Sequence, residues 1–163
     1  MIEVRVLRGL AAITAALAGA PEAWAQQQIA SVQRIEPQGT RQQLPGGPEA
    51  LKLGSGLFNN DVIETSPRGR VDVAFADGTR LGVGPSSQVT LDSYVYRPGG
   101  GGASAALGMA KGAMRFISGN VQRDGMRITT PTATIGIRGT DFVVTVTPAG
   151  ATRVRVDQGA VVL

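Results

Sequence analysis

Few side chains in this sequence are suited to acid–base or covalent chemistry. The 163 residues include neither Cys nor His, which removes thiol nucleophiles, disulfides, thiolate or imidazole metal ligands and histidine general bases. A hard cation held by carboxylates remains compatible with the composition. The candidate acid–base groups are Asp61, Asp72, Asp77, Asp92 and Asp141.

A carboxylate pair does acid–base work only when both groups converge in one pocket with their pKa values pushed apart. The spacing of the aspartates shows no such pair, and Asp72 and Asp92 alternate with apolar residues, which predicts solvent-facing positions. The sequence therefore predicts a protein that is not an enzyme and that has no cofactor and no metal site. An Asp-dependent hydrolase is the least favoured of three functional hypotheses.

Two segments combine turn residues with polar side chains and are the candidate interaction motifs. The first is Asp77, Gly78 and Thr79, and the second comprises Thr130, Pro131, Arg138, Gly139, Thr140, Asp141 and Phe142. Asp–Gly between two alternating runs predicts a hairpin, and an Asp in a turn commonly bonds its own backbone. The second segment predicts a strand, a tight corner at Gly139 and another strand, with Arg138 pairing a carboxylate or facing a partner. A structural role is the preferred interpretation of both.

Period-two alternation is the main structural signal along the chain. Apolar residues occupy every second position in residues 71–75, 81–83, 89–91 and 153–157, and turn residues separate these runs. A loose repeat of Thr and Pro ahead of an alternating strand occurs at residues 63–75 and 128–137. The pattern predicts an all-β single domain of about nine to eleven short strands, a β-roll or sandwich in which β-solenoid character is left open.

The first 25 residues have the composition of a secretory signal peptide. Arg5 and Arg8 precede an apolar stretch at residues 9–20, and Ala23-Trp24-Ala25 supplies a cleavage site. The stretch is shorter than the roughly 20 residues that span a bilayer. We expect a leader at 1–25, a mature domain at 26–163 without a membrane span, and a periplasmic or secreted bacterial location. An amphipathic helix packed on the domain and an uncleaved anchor are the alternatives.

The formal charge of +4 reflects 16 basic against 12 acidic residues. The arginines are scattered and form no run of four, so a nucleic-acid groove is not predicted. Attraction to anionic polymers or membrane surfaces stays open as a secondary interpretation.

Several short motifs in a fixed order resemble the FecR-type domain of exported bacterial proteins. They are residues 57–65, 69–71, 75–79, 81, 84–87, 112, 114, 130, 131, 133, 137–140, 142 and 156–161. The resemblance covers about residues 30–163 and implies an all-β, non-enzymatic module. The best-known members are periplasmic parts of anti-sigma regulators that respond to iron–siderophore receptors. Only eight residues precede the apolar stretch here, so the chain is similar to the stand-alone exported kind.

These observations favour a cell-envelope sensing, regulatory or protein-interaction module. We expect an envelope protein as the partner, bound by pairing of an exposed strand edge. The alternative is a module that binds an envelope glycan such as peptidoglycan through Tyr94, Tyr96 and neighbouring arginines. The sequence predicts neither the ligand nor the oligomeric state.

Overall fold

The computed structural model describes residues 26–36, 39–42, 47–97, 99, 102–119 and 125–162, and these form twelve β-strands without a helix. In chain order the strands are β1 Ala30–Glu36, β2 Gly39–Gln42, β3 Pro48–Ala50, β4 Gly56–Leu57, β5 Val62–Thr65, β6 Arg70–Phe75, β7 Arg80–Val83, β8 Gln88–Tyr96, β9 Ala103–Ile117, β10 Arg127–Thr129, β11 Thr134–Val146 and β12 Thr152–Val162. The all-β class predicted from the sequence is confirmed.

The hairpin of β6 and β7 shows how alternation produces the sheet. Val71, Val73 and Phe75 point into the core from β6, while the residues between them are partly or fully exposed. Leu81 and Val83 do the same from β7, which pairs antiparallel with β6. Because successive side chains of a strand point to opposite faces, the sequence fixes which face is buried.

One sheet contains all twelve strands, and its main path runs β3-β2-β5-β8-β9-β7-β6-β1-β4. Strands β10, β11 and β12 branch from this path, with β10 and β11 both pairing with β9 and β12 pairing with β11. Among the described strands only β9 and β10 run parallel; the other pairs are antiparallel. This connectivity has the character of a β-roll.

The long strand β9 organises the roll because its two halves have different neighbours. Its first half lies between β8 and β10, and its second half, from residue 112 onward, lies between β7 and β11. The sheet therefore curls around one apolar interior. The largest fully buried side chains of that interior are Phe116, Phe142, Leu57, Ile63, Leu81, Leu91, Leu107, Met109, Met114, Ile128, Ile135 and Val32.

Strand lengths differ from the expectation of uniformly short strands. Strands β9, β11 and β12 have 15, 13 and 11 residues, and each long strand bends at a register irregularity or serves two sets of neighbours. Alternation in short windows detects strand segments but does not show that neighbouring segments join.

The prediction of a tight corner at Gly139 is wrong. The backbone continues as β11 through residues 138–141, and the irregularity appears as shifts of register against β12 between Arg138 and Phe142. A β-bulge accommodates an extra residue and bends the strand without ending it. The turn of this segment occurs earlier, at residues 130–133.

The predicted leader at 1–25 lies outside the described residues, and the 26–163 boundary stays a prediction. Among the described residues, no helix is long and apolar enough to cross a membrane.

Candidate functional site

The first candidate motif, Asp77-Gly78-Thr79, forms the tight turn between β6 and β7. Thr79 donates its backbone N–H to Asp77 Oδ1 at 2.9 Å and its hydroxyl to Asp77 Oδ2 at 2.7 Å. Gly78 adopts a left-handed φ of 82°, which favours glycine. Both carboxylate oxygens of Asp77 are thus engaged within the turn, and its residue exposure is only 6%.

Two further contacts hold this turn against the rest of the roll. Asp77 donates its backbone N–H to the Tyr94 hydroxyl at 3.1 Å, and Gly119 donates its N–H to Thr79 Oγ1 at 3.3 Å. A Cβ on Gly119 would lie 2.3 Å from the carbonyl oxygen of Asp77, so only glycine fits this approach. The polar groups of this motif therefore bond to the protein itself. We call the Asp77-Gly78-Thr79 turn, together with the residues that bond to it, the clamp.

Tyr94 belongs to the same clamp. Its ring is 5% exposed and packs on Phe75 with ring centroids 4.9 Å apart. Burial raises the pKa of the Tyr94 hydroxyl, and the nearby Asp77 carboxylate raises this pKa further. Tyr96 is half-buried against the core, so the two tyrosines do not form an open stacking platform for a sugar.

Thr130 and Pro131 form the turn between β10 and β11. The Thr130 hydroxyl accepts the N–H of Ala133 at 3.0 Å and shares a hydrogen bond of 2.7 Å with the Thr152 hydroxyl. Thr132 also bonds Thr152, at 2.8 Å. These threonines tie the turn to the start of β12, while Pro131 is exposed and lies near Gly150.

The remaining predicted residues lie along β11 and do not form one site. Phe142 is fully buried and its ring centroid is 5.5 Å from that of Phe116, whereas Arg138 is exposed. Gly139 and Thr140 lie within the strand between them. Asp141 accepts two hydrogen bonds from the Arg115 guanidinium, at 3.0 and 2.6 Å. Asp141 therefore pairs with Arg115 of β9 and not with the neighbouring Arg138.

The electrostatics of that pair follow from its geometry. The bidentate bond from Arg115 lowers the pKa of Asp141, and the charge of Arg155 lowers this pKa further. Asp141 in turn raises the pKa of Arg115. Both side chains keep solvent contact, with Arg115 half exposed, so this is a surface ion pair.

A hollow of about 510 Å³, which no local sequence motif indicates, lies on the outer face of β1, β6, β7 and β9. Its lining includes the small residues Ala74 and Gly82, the acidic residue Asp72, and four arginines, each from a different strand. The arginines are Arg34, Arg70, Arg80 and Arg115. We call this feature the arginine hollow. In the sequence, the arginine hollow corresponds to arginines and small residues at outward positions of several strands. This pattern can be recognised only when the order of the strands in the sheet is known.

The strand pairings show how the arginine hollow is built. One transverse row runs from Arg34 through Asp72 and Gly82 to Arg115. The next row places Ala74 beside Arg80. Because Gly82 has no side chain, Asp72 lies over it: a Cβ there would be 3.1 Å from Asp72 Oδ1.

A second surface is the outer side of β12. Within the described part of the chain, β12 pairs only with β11. Its pairing from Thr152 to Val156 is regular, and Gly159 adopts a left-handed φ of 87° after the first register shift. Val156 is 39% exposed, and Val154 packs partly against the core. An edge strand of this length presents a row of N–H and C=O groups that lack a strand neighbour.

Carboxylates do not gather into a metal-binding group anywhere in the ranges described. The described residues therefore form an all-β domain with two turns that are hydrogen-bonded internally and an arginine-lined hollow. The longest of its edge strands is β12.

The chain belongs to the FecR protein family. The family's sequence profile matches residues 61–162, which confirms the resemblance drawn from the short motifs. This is a cell-surface signalling and regulatory family. Strands β1 to β4 precede the matched range. Two of them pair with strands inside it, β1 with β6 and β2 with β5, while β3 pairs with β2 and β4 with β1.

A solved structure described as "Cell surface anchoring domain" is similar to part of the chain. It shares 31% sequence identity, with a TM-score of 0.38, over 39% of this chain and 84% of that one. No curated protein matches the chain in sequence.

Proposed function

We propose that this FecR-family chain is a protein-interaction module of the bacterial cell envelope that binds an extended segment of a partner protein along β12. The observation that carries the proposal is the side of β12 that has no strand neighbour among the described residues, and the regular part of β12 runs from Thr152 to Val156. Adding a strand to such an edge forms main-chain hydrogen bonds, and side-chain pockets on the two faces supply specificity.

The two faces of β12 define the chemistry of a complementary strand. Val154 and Val156 lie on the core side, and Val156 is partly exposed there. Arg153 and Arg155 alternate with them on the outer face. Arg155 is held by Asp157 at 2.9 Å, whereas Arg153 makes no ion pair within the described residues. A partner segment with apolar residues alternating with polar or acidic ones would match this edge.

The test uses proline at two adjacent positions, Arg153→Pro and Val154→Pro. Neighbouring N–H groups of a strand point to opposite sides, so one substitution removes a bond to β11 and the other removes only an outward N–H. We expect one variant to lose stability and the other to stay folded by circular dichroism. The folded variant should lose the envelope protein that cross-links to the wild-type chain.

Hydrogen exchange sharpens the test, because partner binding should slow exchange of the outward-facing amides of β12 in the wild-type complex. A folded proline variant that keeps the same partner with the same affinity would overturn the proposal. Concentration-dependent dimerisation lost in that variant would identify the partner as a second copy of the chain.

A periplasmic or secreted location completes the proposal and rests on the predicted leader at residues 1–25. Amino-terminal sequencing of protein recovered from the periplasm should find a chain that starts at Gln26. A chain retained in the membrane fraction with residues 1–25 intact would instead support the anchor alternative.

A further inference from the structure

We propose that the arginine hollow binds a small soluble ligand that carries at least two carboxylate or phosphate groups. This site is separate from the β12 edge, and its ligand is independent of the partner proposed there. The volume of about 510 Å³ lies within the roughly 300–1,000 Å³ typical of small-molecule sites.

Three of the four arginines lie beside carboxylates, and two of them, Arg34 and Arg115, are oriented by hydrogen bonds before any ligand arrives. Arg34 pairs with Glu36, Arg70 lies 3.8 Å from Asp72, and Arg115 forms its bidentate pair with Asp141; these contacts are all on the outer face. A guanidinium has five N–H donors and a bidentate carboxylate uses two of them. Each of these arginines therefore keeps donors for a second oxyanion.

Arg80 is the cation that is left for a ligand. It is exposed and makes no ion pair with any residue in the described ranges. It also lines a second, smaller hollow of about 250 Å³ beside the Asp77 turn, so its side chain stands between two open spaces. An oxyanion seated over Ala74 would meet this unpaired guanidinium first.

The distance between the arginines of the hollow determines how many anionic groups a ligand needs to contact them. Arg34 and Arg115 are separated by three strand-to-strand steps, or about 14 Å between their backbones, because neighbouring strands lie about 4.8 Å apart. One carboxylate cannot contact both ends of this row. A ligand that uses the whole hollow therefore carries two or more anionic groups joined by a short polar body.

The first experiment titrates the full chain with citrate and, separately, with inorganic phosphate, and follows arginine Nε–H signals by NMR and heat by calorimetry. Citrate should perturb Arg80 and Arg115 and bind more tightly than phosphate, since it bridges separate cations. Arg80→Gln should weaken citrate binding about tenfold or more, the scale of one lost hydrogen-bonded ion contact. Arg68→Gln, at an exposed turn outside the hollow, is the matched control and should leave binding unchanged.

A second variant keeps the test independent of folding defects. Ala74 is paired across the sheet with Arg80, so Ala74→Glu would place a carboxylate beside the unpaired guanidinium and fill part of the hollow. We expect Ala74→Glu to stay folded with unchanged or raised stability, yet to lose citrate binding.

Three outcomes would overturn the proposal. Citrate binding that survives both Arg80→Gln and Ala74→Glu would show that the hollow is not the site. Equal effects of Arg68→Gln and Arg80→Gln would reduce the binding to general charge attraction. Binding to vesicles of phosphatidylglycerol and phosphatidylcholine, without any citrate or phosphate response, would assign the arginines to a membrane surface.

Discussion

Asp77 and Asp141 stand next to Thr or Gly in similar short motifs, yet the fold gives them opposite environments. Asp77 is buried, and both of its carboxylate oxygens accept hydrogen bonds from Thr79. Asp141 lies at the surface, where it binds a guanidinium that keeps its contact with solvent. The first aspartate closes a turn, and the second fixes a cation on an outer face.

This contrast separates stability from recognition in the molecule. Groups whose hydrogen bonds are satisfied inside the protein have nothing left for a ligand, and removing one leaves buried partners unsatisfied. Groups on the outer face have solvent as an alternative partner, so their removal costs little stability. The expected effects of substitution therefore fall steeply from the Asp77 turn to the Asp141 pair.

The largest effect is expected for Asp77→Ala, which leaves the N–H and hydroxyl of Thr79 without their acceptor. Buried unsatisfied donors cost about 1–3 kcal/mol each, so we expect a loss of about 3 kcal/mol in the free energy of unfolding. Urea denaturation measures it. The matched variant Asp141→Ala should unfold close to wild type, and equal losses for the two would refute the contrast.

A somewhat smaller loss is expected for Gly119→Ala. The added Cβ would collide with backbone atoms at the Asp77 turn, including the Thr79 nitrogen at 2.6 Å. Overpacking of this kind typically costs about 1–3 kcal/mol. Gly47→Ala is the control, because nothing lies within 4 Å of its Cβ position. The melting temperature should fall for Gly119→Ala and stay unchanged for Gly47→Ala. An unchanged melting temperature for Gly119→Ala would show that the close approach of Gly119 to the Asp77 turn does not stabilise the fold.

Tyr94→Phe tests the last link of the clamp. It removes the hydroxyl that accepts the Asp77 N–H but keeps the ring against Phe75. We expect a loss of about 1 kcal/mol, the usual net value of one hydrogen bond. Tyr96→Phe should have less effect in the same urea titration. A Tyr94→Phe protein as stable as wild type would mean that water replaces the hydroxyl.

Local chemistry in the sequence predicted the Asp77 turn because its parts are close in the chain. Asp, Gly and Thr occupy adjacent positions, and the alternation of β6 and β7 fixes their place at a hairpin. The contacts that Tyr94 and Gly119 make with this turn could not be predicted from the sequence, because Tyr94 lies on β8 and Gly119 follows β9. No local signal specifies which distant strand lies beside a turn.

The arginine hollow shows the same limit at the level of the sheet. Arg34 and Arg115 stand 81 positions apart in the sequence, and the sheet places them at the two ends of one row that crosses four strands. The arginines of the hollow are scattered along the sequence, and only the strand order brings them to one face of the sheet. The Arg115–Asp141 pair has no local signal for the same reason, since its two residues lie 26 positions apart in the sequence.

The smallest expected effect is a change in the pH dependence of the free energy of unfolding at acid pH. It reports on the Arg115–Asp141 pair. Arg115 holds the pKa of Asp141 below its usual value of about 3.9, so the pair stabilises the fold fully above that pH. Its contribution is lost as the pH falls through the lowered folded-state pKa. Asp141→Asn should therefore lose less stability than wild type as the pH falls from about 5 to about 3, whereas the two should respond alike above about pH 5. Identical acid profiles from urea titrations at each pH would show that solvent screening leaves the pair no net stabilising role.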